Sequence, residues 1–122
     1  MPAASTLPPQ PAAHRPPLIE LLTVAGCPNR DAALTLIQLV RAQLASNAEV
    51  RVSEVPDQPA AERLCFLGSP TIRVNGHDIE PGADRQQEYV HACRLYQGRH
   101  SLHGLPEADW LRQALLTAAR DP

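Results

Sequence analysis

The chain contains no lysine; its 11 basic residues are all arginine and stand against 13 acidic ones, for a formal charge of -2 over 122 residues. No strong positive field therefore draws it to nucleic acid or to an anionic membrane surface. Aromatics are equally scarce: one Phe, one Trp and two Tyr cannot build base-stacking platforms, and the arginines are scattered rather than striped. No apolar run approaches the roughly 20 residues of a spanning helix. The opening stretch MPAASTLPPQPAAHRPP lacks the apolar centre of a secretory signal. Three cysteines, at Cys27, Cys65 and Cys93, are too sparse and too odd in number for a disulfide framework. A phosphate-cradling glycine loop, a G-x-S-x-G elbow and an H-E-x-x-H pair are all missing. These absences describe a cytoplasmic protein with reduced thiols and with neither a nucleic-acid nor a membrane partner. A cysteine that matters in such a chain does so through reactivity or metal binding.

What is present is an uneven distribution of proline and a regular alternation of apolar patterns. Six of the 13 prolines fall in the first 17 residues, which read as a flexible or polyproline-like tail with little apolar surface to offset its ordering. The folded domain is expected over residues 18–120. Leu18 to Val24 is an apolar run suited to a buried strand. Arg30 to Ser46 has helical period, with Ala33, Leu36, Ile37, Val40 and Leu44 on one face and Pro28 as the first helical residue. Glu49 to Val55 reads as a second strand ending at Pro56. Pro59 to Phe66 reads as a short helix closed by Gly68, and Thr71 to Val74 as a third strand meeting the Asn75-Gly76 turn. The stretch from Asp78 to Val90 is polar and reads as a long loop with a short helical turn. Ala92 to Gln97 reads as a strand returning beside Thr71–Val74, and Pro106 to Arg120 as a second long helix with Glu107 and Asp109 in its first turn. The order predicts an α/β domain with a mixed sheet and helices on both faces.

Cys27 stands where the first strand hands over to the first helix. A sulfur there faces helix N–H groups and the positive end of the helix dipole, which favour the thiolate that attacks disulfides and binds soft metals. The plainer reading is a small buried hydrophobe at a strand end.

The strand–Gly26-Cys27-Pro28-Asn29–helix entry, the later Gly68-Ser69-Pro70-Thr71 and the predicted strand order resemble the thioredoxin-like superfamily over residues 18–119. More narrowly, GCPN, FLGSPTIRVNG and ACRLY resemble small bacterial thioredoxin-like proteins sometimes labelled alkylmercury lyases. The resemblance implies a three-layer fold with a mixed four-stranded sheet. It makes Cys27 the nucleophile and Pro70 a cis-proline facing it. From the residues themselves, Pro28 fixes the helix start, and Arg30 either stabilises a Cys27 thiolate by its charge or is a solvated helix residue. Ser69, Pro70 and Thr71 would then line a substrate groove, with the Ser69 N–H and C=O free to pair with an extended substrate. The chain departs from the family's C-x-x-C pattern, because Arg30 stands where the second cysteine would be. Two mechanisms follow: monothiol chemistry, in which an external thiol resolves a mixed disulfide on Cys27, or a distant resolving thiol, for which Cys93 is the first candidate and Cys65 the second. The activity implied is thiol–disulfide exchange with a protein or low-molecular-weight thiol partner, and it requires no cofactor.

Two alternatives accompany it. The fold is retained for binding a partner, or Cys27 and Cys93 hold a soft ion such as Hg(II) or Cu(I). The other is mercury–carbon cleavage of the kind found in mercury resistance, for which Asp31 is the candidate proton-delivering carboxylate. His100-Ser-Leu-His103 has zinc-like spacing but no paired C-x-x-C, and reads as loop histidines.

Overall fold

The first strand forms where the sequence is most continuously apolar. In a computed structural model describing residues 15–98 and 102–120, β1 spans Leu18–Thr23. Ile19, Leu21 and Thr23 are fully buried, and Leu22 nearly so, as expected for a strand covered on both faces. α1 spans Arg30–Gln43 and buries Ala33, Ile37 and Val40. β2 (Glu49–Glu54) pairs in parallel with β1, the chain crossing over between them through α1. α2 (Gln58–Arg63) starts from Asp57, whose carboxylate accepts the Ala60 N–H at 2.9 Å. β3 (Thr71–Val74) runs antiparallel to β1 and β4 (His77–Asp78) antiparallel to β3. The sheet order is β2-β1-β3-β4. A separate ribbon pairs β5 (Tyr96–Gln97) with β6 (Leu102–His103), and α3 spans Ala108–Arg120.

Two apolar clusters divide the two sheet faces. Ile19, Leu21, Ile72 and Val74 pack with Ile37 and Val40 of α1 and with Leu111 and Leu115 of α3. Leu22 points the other way and packs with Val55, Phe66 and Ala60–Ala61 of α2. The molecule is thus α/β, with a mixed four-stranded sheet and helices on both faces, as expected.

Several expectations are corrected. Pro28 is not the first helical residue: Asn29 precedes the helix, and the Arg30 N–H turns back to the Cys27 carbonyl at 3.3 Å, so a turn separates Cys27 from α1. α1 stops before Ser46 because Ala45 adopts a φ of 48°, with the Ser46 N–H returned to the Arg41 carbonyl at 2.9 Å. α2 is closed by Cys65, at φ 54°, rather than by Gly68. The largest correction concerns the strand beside Thr71–Val74. Asn75 and Gly76 both have positive φ (51° and 85°), which closes a two-residue hairpin and makes His77–Asp78 the neighbour of β3. Ala92–Gln97 is therefore excluded from the main sheet and supplies only β5. At the other end, backbone pairing begins before Leu18, since the Pro17 carbonyl accepts the Glu49 N–H at 2.9 Å. The rest of the proline-rich stretch, residues 1–14, lies outside the described residues, as does His100.

Candidate functional site

β1 ends at Thr23, and the chain turns at once: the Cys27 N–H donates to the Val24 carbonyl at 3.2 Å. Gly26 has φ 75° in that turn, which an L side chain rarely adopts. Cys27 is buried, with 9% of its surface exposed. Beside it, Gly104 lies so close to the Asn29 side-chain amide that a Cβ there would collide with it.

The opposite wall is the segment entering β3. The Ser69–Pro70 peptide is cis, as the resemblance implies. Ser69 is fully buried, and its hydroxyl accepts the Val24 N–H at 3.0 Å. One hydrogen bond thus joins the two walls, three residues before Cys27.

Cys93 arrives at the same place by another route. It forms an isolated parallel bridge with Ser69. The Ser69 N–H donates to the Ala92 carbonyl at 2.8 Å, and the Arg94 N–H donates to the Ser69 carbonyl at 2.9 Å. Residues opposed in a ladder project to one face, so Cys93 emerges on the side of Ser69 that meets Val24. Cys93 is exposed. It lies outside the main sheet, and the bridge sets it beside Ser69.

The segment carrying Cys93 is held by its neighbours. The Arg94 side chain is 4% exposed; Nη1 donates to an Asp78 carboxylate oxygen at 2.7 Å and Nη2 to Glu80 at 2.8 Å. Nη1 also donates to the Thr71 hydroxyl at 2.9 Å, and the guanidinium lies 4.2 Å from the centre of the Tyr96 ring. Burial works against the Arg94 charge. The hydrogen bonds and charge of Asp78, with Glu80, more than offset this and hold the guanidinium above its ordinary value. Tyr96 donates its hydroxyl to the Pro70 carbonyl. Burial pushes the Tyr96 phenol up, with Asp78 and Glu80 adding to the effect, although Arg94 opposes them.

The remaining site candidates are dispersed. Arg30 pairs with Asp31 at 3.1 Å, and the Asp31 side chain is 93% exposed, so these two face each other in solvent. Pro28 is exposed. Thr71 is buried, its hydroxyl donating to the Gly68 carbonyl at 2.6 Å and accepting from Arg94, so its one O–H donor is used within the fold. The Ser69 N–H and C=O, expected to be free, are both taken by Ala92 and Arg94. Cys65 is exposed and lines a different cavity, of about 620 Å3, with Arg73 and Tyr89. There the Tyr89 phenol is held above its ordinary value by a hydrogen bond to Cys65. A second cavity, of about 710 Å3, lies between the β3–β4 hairpin and α3, against Ile79 and Trp110. Neither cavity is lined by Cys27, Cys93, Ser69 or Pro70.

Sequence reasoning missed Arg94, Asp78, Glu80 and Tyr96. The available signal was the Asn75-Gly76 turn, which leaves Asp78 and Glu80 just beyond a tight hairpin and in need of a cation. Among the described residues, no group of three or more His, Cys, Asp or Glu side chains is placed to hold a metal ion, and no helix is long and apolar enough to cross a membrane. Compared with family models, curated proteins and solved structures, the chain matches none.

Proposed function

We propose that this chain is a thiol–disulfide redox protein on a thioredoxin-like fold, with Cys27 as nucleophile and Cys93 as its resolving partner. The observation that carries this reading is that the turn holding Cys27 and the segment holding Cys93 both attach to Ser69, the first through the Val24 N–H and the second through the Cys93 bridge. The sheet order β2-β1-β3-β4, with β1 parallel to β2 and antiparallel to β3, supports the fold assignment.

The chemistry balances without a cofactor. The Cys27 thiolate attacks a substrate disulfide; a bond forms between Cys27 Sγ and one substrate sulfur, the substrate S–S bond breaks, and the other sulfur leaves as a thiolate that takes a proton from water. The Cys93 thiolate then attacks Cys27 Sγ and expels the second substrate thiolate. Two cysteine thiols are oxidised and one substrate disulfide is reduced, and an external thiol restores the dithiol. A distant partner replaces the missing C-x-x-C neighbour. The redox reading needs no carboxylate, whereas mercury–carbon cleavage would rest on Asp31, which is turned to solvent and paired with Arg30.

The test is turnover of a simple disulfide with a thiol reductant. Cys27→Ser should lower the rate at least about 100-fold, as loss of a nucleophile does. Cys93→Ser should lower it less, because the external thiol can resolve the mixed disulfide directly, and Cys65→Ser should leave it unchanged. Full activity in Cys27→Ser would overturn the proposal.

A further inference from the structure

An extended polypeptide substrate needs free backbone donors and acceptors along the edge it joins. In this protein the edge from Phe66 to Pro70 is already used. The Phe66 carbonyl accepts the Val90 N–H at 3.0 Å. The Gly68 carbonyl accepts the Thr71 hydroxyl, the Ser69 N–H and C=O pair with Ala92 and Arg94, and the Pro70 carbonyl accepts the Tyr96 hydroxyl. The segment Val90–Arg94 thus lies as a strap where a peptide would bind.

The strap is built in rather than loosely laid. A Cβ on Gly68 would come within 2.9 Å of the Arg94 Cβ and 3.3 Å of the Ala92 carbonyl oxygen. Its far end is pinned by the Asp78 and Glu80 carboxylates on Arg94. Its near end is held by Gln58, whose Nε2 donates to the Tyr89 carbonyl at 2.8 Å and whose Oε1 accepts the His91 N–H at 2.9 Å.

We infer that the Cys27 site takes low-molecular-weight disulfides and excludes extended polypeptides, because the Val90–Arg94 strap occupies the polypeptide groove. The inference rests on the redox reading of Cys27. A small disulfide needs only an approach to the Cys27 sulfur and no backbone pairing along this edge. A peptide must first displace the strap, and when the open state is a minor one its apparent affinity falls by the open fraction.

The test uses the full chain carrying Cys65→Ser and Cys93→Ser, so that a mixed disulfide on Cys27 persists. Cystamine is compared with a short unstructured peptide bearing the same aminoethyl mixed disulfide on a central cysteine. With cystamine the Cys27 thiolate bonds one sulfur and cysteamine leaves. With the peptide, attack on the peptide sulfur releases cysteamine and leaves the peptidyl adduct, whereas attack on the aminoethyl sulfur releases the peptide thiol. The adduct mass tells the two apart. Adducts at Cys27 are followed by mass spectrometry, and strap closure by hydrogen exchange of the Ser69 and Arg94 amides. Cystamine should react at least about tenfold faster than the peptide, corresponding to an open fraction of about 10% or less. Arg94→Gln, or the milder surface variant Gln58→Ala, should speed amide exchange and bring the two rates together. Equal rates in a protein with protected amides would overturn the strap inference and leave the redox reading standing. So would a rate ratio that stays fixed after Ser69 exchange has risen. Failure of Cys27 to react with either probe would overturn both.

Discussion

Arg94 inverts the usual relation between polarity and burial. It is 5% exposed and Tyr96 is fully buried, while Leu95 between them is 65% exposed. The inversion is stable because the guanidinium meets Asp78 and Glu80, whose side chains are each 12% exposed. Removing one partner of such a group leaves the others uncompensated, so Arg94→Met should cost about 3–5 kcal/mol in urea unfolding. Adding Asp78→Asn and Glu80→Gln should recover part of that loss. Tyr96 supplies a pH signature. Its phenol is held above the ordinary value of 10.0, chiefly by burial. Above about pH 10 the unfolded chain loses the proton while the folded one keeps it, so the unfolded state binds fewer protons and stability falls as pH rises. Tyr96→Phe should flatten that decline in denaturant titrations at pH 9 and above. Thr23 offers a contrast, since its buried hydroxyl has no hydrogen-bond partner among the described residues. Thr23→Val should be neutral or stabilising by about 1 kcal/mol, because it removes an unsatisfied group without changing shape.

Elements differ in how openly the sequence declares them. β1, α1, β2 and α3 are legible because each is specified by its own apolar spacing, as Ala33, Ile37 and Val40 show on α1. The strap is illegible for the complementary reason. Its anchors join Arg94 to residues 14 to 16 positions away and Gln58 to residues 31 to 33 positions away, and no local periodicity encodes them. The β3–β4 hairpin lies between these cases. Asn75-Gly76 announces the turn, but the two-residue strand after it is too short to carry a pattern of its own. Asn75 also accepts the Leu18 N–H through its side-chain oxygen at 2.9 Å, which ties the turn to the start of β1. Asn75→Ala should therefore cost about 1–2 kcal/mol, by losing that bond and placing an alanine at φ 51°. Thermal unfolding would register the loss.

Across the whole molecule, three parts of the chain far apart in sequence meet at Ser69. The turn that carries Cys27 reaches it through Val24, the entry to β3 supplies Ser69 itself beside Pro70, and the strap reaches it through Cys93. Cys27 was legible from its place between strand and helix. The proposed role of Cys93 was legible only as a candidate, because its place beside Ser69 depends on the strap and not on the sheet that the sequence suggested. Cys65 ends a different helix and lines a cavity that neither Cys27 nor Cys93 lines. The most direct test is to oxidise the native protein mildly, trap remaining thiols and map the disulfides by mass spectrometry under non-reducing conditions. The account predicts an intramolecular Cys27–Cys93 disulfide with Cys65 alkylated, formed equally well in Cys65→Ser and absent from Cys93→Ser. A protein that oxidises only through Cys65, or that leaves Cys27 and Cys93 both as free thiols, would contradict it.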